Sequence, residues 1–281
     1  IIEEPLFTIP GLGDFYFFNT LTAMVVVDLV LIGLALAVRN ATRSGRMIPS
    51  GLSGAMEAAV EALYNFAEST AGKQTKRIFP WFATIFLLVL MANLTKLLPG
   101  FETIGVMHHA EKGYNLQALG GGWYNLLPGE THGDKAYILT PFLRGLSTDL
   151  NFTAALALIA VVMTQVVGVQ TQGVQYFSKF FNTTTLFKKP FFGFIDFAVG
   201  LLETISGFAK ILSFAFRLFG NMFAGMVLVA LIGAMMPVFM PSLIFMFEFF
   251  IGLIQAFVFA MLTLVFMTQA TRGHGDEHAE G

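Results

Sequence analysis

LSFAFRLFGNMFAG, residues 212–225, is apolar almost throughout, yet Arg217 and Asn221 stand in its middle. A charged side chain near the centre of a bilayer costs at least about 2.5–3.5 kcal/mol on insertion scales. Such a residue is kept where it pairs or where its charge has a task. The rest of the chain shows that the bilayer is its setting. Of 281 residues, 56% are hydrophobic and 12% are charged. That apolar surface exceeds what a soluble core absorbs, and the chain reads as an all-α polytopic membrane protein. The formal net charge of −2 excludes a generally basic nucleic-acid binder. With no cysteine, disulfides, thiol catalysis and thiolate metal sites are excluded. The opening IIEEPLF lacks a methionine and shows no signal peptide, which suggests a processed or truncated N-terminus.

Working outward, five stretches are long and apolar enough to span: 15–38, 80–98, 150–169, 191–232 and 238–269. A span needs about 20 residues. The fourth stretch covers 42 residues and the fifth 32. At about 1.5 Å per residue they would run roughly 63 and 48 Å. A hydrocarbon core of about 30 Å cannot hold them at the usual tilt of about 20°. Pro237 and Pro241 mark the turn between them, so the pair is expected to be one long, steeply tilted C-terminal hairpin. Residues 51–72 place Met56, Val60, Leu63 and Ala67 at helical spacing, with Glu57, Glu61 and Glu68 on another face. This predicts an amphipathic helix on the inside membrane surface. Residues 99–149 are rich in glycine and polar groups and are expected to form an irregular outside loop with short helices. With an outside segment 1–14 and an inside tail 270–281, the whole is expected to be a single membrane domain.

Lysine and arginine set the orientation. Arg39, Arg43, Arg46, Lys73, Lys76 and Arg77 precede the second span, Lys179, Lys188 and Lys189 follow the third, and Arg272 follows the fifth. The opposite side holds Lys112, Lys135 and Arg144. The N-terminus is therefore expected outside and the C-terminus inside. Lys96, Lys210 and Arg217 remain at or within membrane depth.

Asp196, Glu203, Lys210 and Arg217 are each seven residues from the next. A seven-residue step drifts only about 20° around an α-helix, so the four share one face. Asn221 follows one turn later, and Ser206 and Ser213 add hydroxyls nearby. On the partner helix Glu248 and Gln255 are also seven apart. Counting from the turn places Gln255 and Asn221 at a similar depth, near Arg217. Glu248 then falls nearer the outside and Glu203 nearer the inside. Rows of membrane carboxylates mark proton paths. An arginine keeps its proton, so it can divide such a path and hold a carboxylate ionised, but it cannot relay. The plainer alternative is pairing within the hairpin with snorkelling at its ends. That suits Asp196 and Lys210 better than Arg217, whose own helix carries no acid within 13 residues. A carboxylate on another chain is the expected partner. Gly200, Ser206, Gly207, Ala209, Ser213, Gly220 and Gly225 are small enough to let another backbone approach.

With these residues in hand, the chain resembles subunit a of the F-type ATP synthase, the stator half of its ion-translocating membrane sector. LSFAFRLFGNMFAG carries the resemblance, with LIQAFVFAMLTLVFM after it and LMANLTKLLPG (90–100) and STDLNFT (147–153) as further family-like elements. The resemblance implies a rotating proteolipid ring, the c-ring, whose membrane carboxylates pass Arg217. It implies two aqueous half-channels separated by Arg217, with Asn221 and Gln255 as its polar neighbours. Glu203 matches the inside outlet and Glu248 the outside inlet. Partners implied are the c-ring, the peripheral-stalk b subunits and, indirectly, the F1 head, with membrane lipid around the chain. No nucleotide, nucleic acid, metal or cofactor is expected. The setting implied is an energy-coupling membrane, a bacterial inner membrane before an organellar one. One position departs from the family: Met226 stands where a Glu or His usually partners the inlet residue. Asp28 in the first span, and His108, His109, Glu111 or His132 outside, are candidates to replace it.

HGDEH at 274–278 matches a zinc-protease pattern, but it sits in a Gly-rich tail and not on a helix. GGGW at 120–123 follows no expected strand and is no nucleotide cradle. The alternative function is a stand-alone ion-coupled secondary transporter. Its usual internal repeat and matched broken helices are not visible.

Overall fold

The computed structural model describes residues 7–9, 13–15, 19–43, 51–98, 101–121, 123–132, 136–173, 176, 190–236 and 239–271. The chain divides into two compact units, residues 1–27 with 95–146 and residues 28–94 with 147–281, where one membrane domain was expected.

The first unit opens with a small antiparallel pair, β1 (Phe7–Ile9) and β2 (Gly13–Phe15). Phe15, expected to begin the first span, is therefore a strand residue. The helix that follows, α1, runs Asn19–Arg43 and carries the boundary between the units within it. Asn19 Nδ2 donates to Pro141 O at 3.2 Å.

Residues 99–149 correct the expectation of an irregular loop with short helices. They hold a three-stranded antiparallel sheet: β3 (Gly105–Gly120), β4 (Trp123–His132) and β5 (Tyr137–Pro141), in the order β4-β3-β5. The turn between β3 and β4 uses Gly120 and Gly121 at φ +93° and +65°, a region that glycine enters without strain. Register shifts after His109, Tyr114 and Ala118 break the strict alternation of a strand. The pattern of period two is therefore scrambled in the sequence although the backbone pairing is extensive. Among the described residues of this segment the one helical turn is 3₁₀, Leu146–Thr148, at its end.

The second unit is helical. α2 (Leu52–Ala71) is bracketed by Gly51 and Gly72, both at positive φ. A 3₁₀ turn, Gly72–Gln74, joins it to α3 (Thr75–Thr95). α2 buries Ala67 and Ala71 and partly covers Leu63 and Phe66. Val60, expected on the apolar face, is 40% exposed. Glu57, Glu61 and Glu68 are exposed.

α4 (Leu150–Gln172) is capped by Asp149, whose Oδ1 accepts from Asn151 N at 2.9 Å. α5 (Pro190–Met235) and α6 (Phe239–Thr271) form the hairpin, 46 and 33 residues long. At about 1.5 Å per residue they extend roughly 69 and 50 Å. Among the described residues, five helical segments are long and apolar enough to cross a membrane: 19–40, 54–95, 150–172, 205–233 and 239–271.

The core of this unit joins α2 through α6. Phe82, Leu218, Phe259, Leu264 and Met267 fill it, and the fully buried Ala157, Ala160, Ala256 and Ala260 let α4 and α6 pack closely. The Phe66 and Phe257 rings meet at 5.1 Å, tying α2 to α6. Gln172 Nε2 donates to Ala270 O at 2.9 Å, joining the ends of α4 and α6.

Candidate functional site

Three approaches set the register of α5 against α6. Gly233 lies 3.6 Å, measured from a Cβ added there, from Pro241 Cγ. Gly225 lies against the Glu248 carboxyl, and Gly252 faces Met222. The pairing steps back along α5 as it steps forward along α6, as an antiparallel hairpin must. Continued at the same rate, it sets Gln255 opposite residue 219, between Arg217 and Asn221.

One face of α5 is turned away from the rest of the chain. Ser206, Ala209, Ser213, Phe216, Arg217, Gly220 and Ala224 recur at helical spacing and are all exposed. Nothing approaches a Cβ added at Gly220 within 4 Å. The opposite face buries Phe214, Ala215, Leu218 and Met222. Among the described residues, no hydrogen bond or ion pair reaches Arg217. The arginine thus stands in a stripe of small side chains, open to whatever lies beside α5. Asn221, one turn on, is half-buried.

Behind this face, α6 buries a carboxylate and a carboxamide. Glu248 and Gln255 are each 7% exposed. Among the described residues, Gln255 Nε2 is buried without a hydrogen-bond partner. A buried unsatisfied donor costs about 1–3 kcal/mol, a cost that a partner from outside the described residues would offset. Glu248 fits because position 225 is glycine. Met226, the departure from the family pattern, is half-buried.

A third polar group lies against the same stretch of α6. Asn93 in α3 is 1% exposed and Ser147 is 2% exposed. Asn93 Nδ2 donates to Gly252 O at 3.1 Å, and Ser147 Oγ donates to Asn93 Oδ1 at 2.7 Å. Gly252 stands midway between Glu248 and Gln255. No role was read for Asn93 or Ser147 in the sequence, although both lie in the family-like stretches LMANLTKLLPG and STDLNFT. An asparagine inside an apolar span was the available signal.

The other expected residues are placed less centrally. Lys210 Nζ sits 4.4 Å from the centroid of the Phe266 ring, a cation–π contact between α5 and α6. Ser206 and Ser213 share the exposed stripe with Arg217. Asp196 and Glu203 belong to α5, but their side chains lie outside the described residues. Asp28 is half-buried on α1. His108 and Glu111 are exposed on β3, and His109 packs its ring 4.1 Å from that of Tyr137. The side chain of His132 and the HGDEH tail lie outside the described residues. Among the described residues no group of three metal-ligating side chains comes together.

A helical membrane protein whose longest hairpin turns an arginine outward and buries a carboxylate and an amide behind it is of the ion-translocating class. Comparison with known proteins narrows the class to a family. The ATP synthase A chain family matches residues 20–268. The chain is 31% identical over 262 residues to ATP synthase subunit a of Gloeobacter violaceus, covering 92% of this chain and 86% of that one. It is 27% identical over 279 residues to the subunit a of Acidothermus cellulolyticus, covering 96% and 84%. Over 264 residues it is 25% identical to that of Moorella thermoacetica, covering 94% and 95%. The chain belongs to the ATP synthase subunit a family, as a proton-translocating, non-catalytic Fo membrane subunit of the complex.

Proposed function

We propose that this chain is the stator face of a rotary proton path. Protons reach membrane carboxylates of a proteolipid c-ring through one half-channel and leave through a second, with Arg217 between the two. The observation that carries this reading is the exposure of Arg217 within a small-residue stripe, without a partner among the described residues of its own chain. A carboxylate arriving on another helix at close range would complete it, and the small side chains allow that approach. Held beside the guanidinium, the arriving carboxyl gives up its proton because the opposite charge favours its ionised form. The arginine cannot take that proton up, so protons do not leak directly between the half-channels.

Glu248 and Gln255, with Asn93 and Ser147 behind them, supply polar groups for the inlet from outside. Glu203 supplies the outlet, with Asp196, Ser206, Ser213 and Lys210 along the same helix. Asp28 is a further candidate on the inlet side. The c-ring and the b subunits of the peripheral stalk are the proposed partners within the membrane sector, and the F1 head is reached through them. The proposed setting is a bacterial inner membrane, with the N-terminus outside and the C-terminus inside.

The test is Arg217→Ala in the intact complex. ATP-driven proton pumping is expected to disappear while ATP hydrolysis by the detached soluble head is unchanged. Pumping at the parental rate would overturn the mechanism.

A further inference from the structure

The composition of α6 does not fix its rotation. Its buried side carries Ile244, Ala256, Phe259 and Leu264, and its exposed side carries Phe245, Met246, Phe250 and Ile254. Turning the helix about its axis would exchange one apolar set for another, and between helices in lipid no hydrophobic force opposes that exchange. Side chains of neighbouring helices grip its backbone instead. Asn93 of α3 donates through Nδ2 to Gly252 O at 3.1 Å, and Gln172 of α4 donates through Nε2 to Ala270 O at 2.9 Å. These carbonyls stand roughly 27 Å apart at about 1.5 Å per residue. A bond to one carbonyl marks one azimuth and one height on a helix, so the two together set the rotation and the level of α6.

The bond at Gly252 is placed to act on the site. Steps of four and three residues put Glu248, Gly252 and Gln255 on one face of α6. Glycine at 252 is what lets α3 come so close, since a Cβ there would stand 3.2 Å from Asn93 Cβ. The amide of Asn93 has one satisfied orientation. Ser147 Oγ donates to Asn93 Oδ1 at 2.7 Å. A flipped amide would set Oδ1 against Gly252 O, acceptor against acceptor. A carboxamide carries donors and an acceptor but no titrating proton. Asn93 therefore acts on a proton path through what it holds.

We propose that Asn93 is a positioning residue for proton entry: it indexes α6 at Gly252, so that Glu248 stays seated against Gly225 and Gln255 stays buried. This rests on the entry role of Glu248 proposed above. The chain contains no cysteine, so Gly225→Cys with Glu248→Cys gives it one pair for disulfide formation. The pair is oxidised in the intact complex, and the cross-link is read as loss of maleimide labelling of this subunit. Asn93→Leu removes both hydrogen bonds at similar side-chain size and is expected to lower the cross-link yield several-fold. In the complex without the cysteines, Asn93→Leu is expected to move the midpoint of proton flux against outside pH. A loss of assembled complex alone would lower the amplitude and leave the midpoint in place. An unchanged cross-link yield, or an unmoved midpoint, would overturn the proposal. Glu248→Gln is measured in parallel. If it leaves flux at the parental rate, the entry role of Glu248 fails; if it lowers flux while Asn93→Leu moves neither readout, the positioning role fails alone. Gly252→Ala pushes Asn93 away from the carbonyl with every polar group kept, and it gives the same two readouts if Asn93→Leu does not assemble.

Discussion

Gly225 on α5 lies against the carboxyl group of Glu248 on α6, and a Cβ at 225 would overlap Glu248 Oε1. The carboxyl is the free end of a flexible side chain, so a methyl group at 225 can be accommodated by moving it. Gly225→Ala is therefore expected to leave assembly intact and to displace the buried acid from its present place. Proton flux should fall several-fold, with subunit content on native gels unchanged. Flux at the parental rate would show that the position of this carboxyl is not critical.

Gln255 separates stability from function. Its Nε2 is buried without a partner among the described residues. Gln255→Met keeps the length of the side chain and removes the unsatisfied donor. Thermal stability of the detergent-solubilised complex is expected to be unchanged or to rise by up to about 1–3 kcal/mol in equivalent terms. Proton transport is expected to drop at the same time. A loss of stability would mean that the amide is satisfied by water or by another subunit.

The Asn93–Ser147 pair holds α3 to the backbone of α6. Ser147→Ala leaves Asn93 Oδ1 without its donor and should cost about 1–3 kcal/mol. Asn93→Ala removes both hydrogen bonds and opens a small cavity, so it should cost more. The double variant should cost less than the sum, because the two residues share one bond. Urea or thermal titration of the four forms measures this coupling. Strict additivity would show that the bond contributes nothing.

Lys210 rests on the Phe266 ring. Phe266→Leu keeps the apolar volume and removes the ring face, at an expected cost of about 0.5–2 kcal/mol. Lys210→Met should cost no more than that, and combining the two should add little. Independent effects would place the ammonium elsewhere.

The parts of this molecule that were readable in the sequence are those in which one helix carries its own pattern. The charges of α5 recur every seven residues, and the long apolar runs ended near the helix ends that the structure shows. Arg217 stands out in the sequence because a charge in an apolar run has few explanations, and the structure leaves it exposed on α5. Contacts between distant segments were not legible. Asn93 and Gly252 are separated by 159 residues, and neither carries a periodic signal. Val60 has the right spacing for the buried face of α2 but is 40% exposed. The sheet was missed because its register shifts interrupt alternation and its glycines read as loop. Such glycines serve turns and close strand approach, and composition alone does not separate those uses from irregular chain.

The arrangement of α5 also fixes how force passes through the subunit. On the proposed reading, a ring turning past Arg217 would push sideways on a helix about 69 Å long. Directly behind that residue the push meets Phe214, Ala215 and Leu218, which are wedged into the core shared with α4 and α6. A close-packed interior yields little, so torque at this point is transmitted and not absorbed. Elastic give in the stator would then arise away from the arginine, and on that reading the gap across which a ring carboxylate meets the guanidinium would stay constant under load.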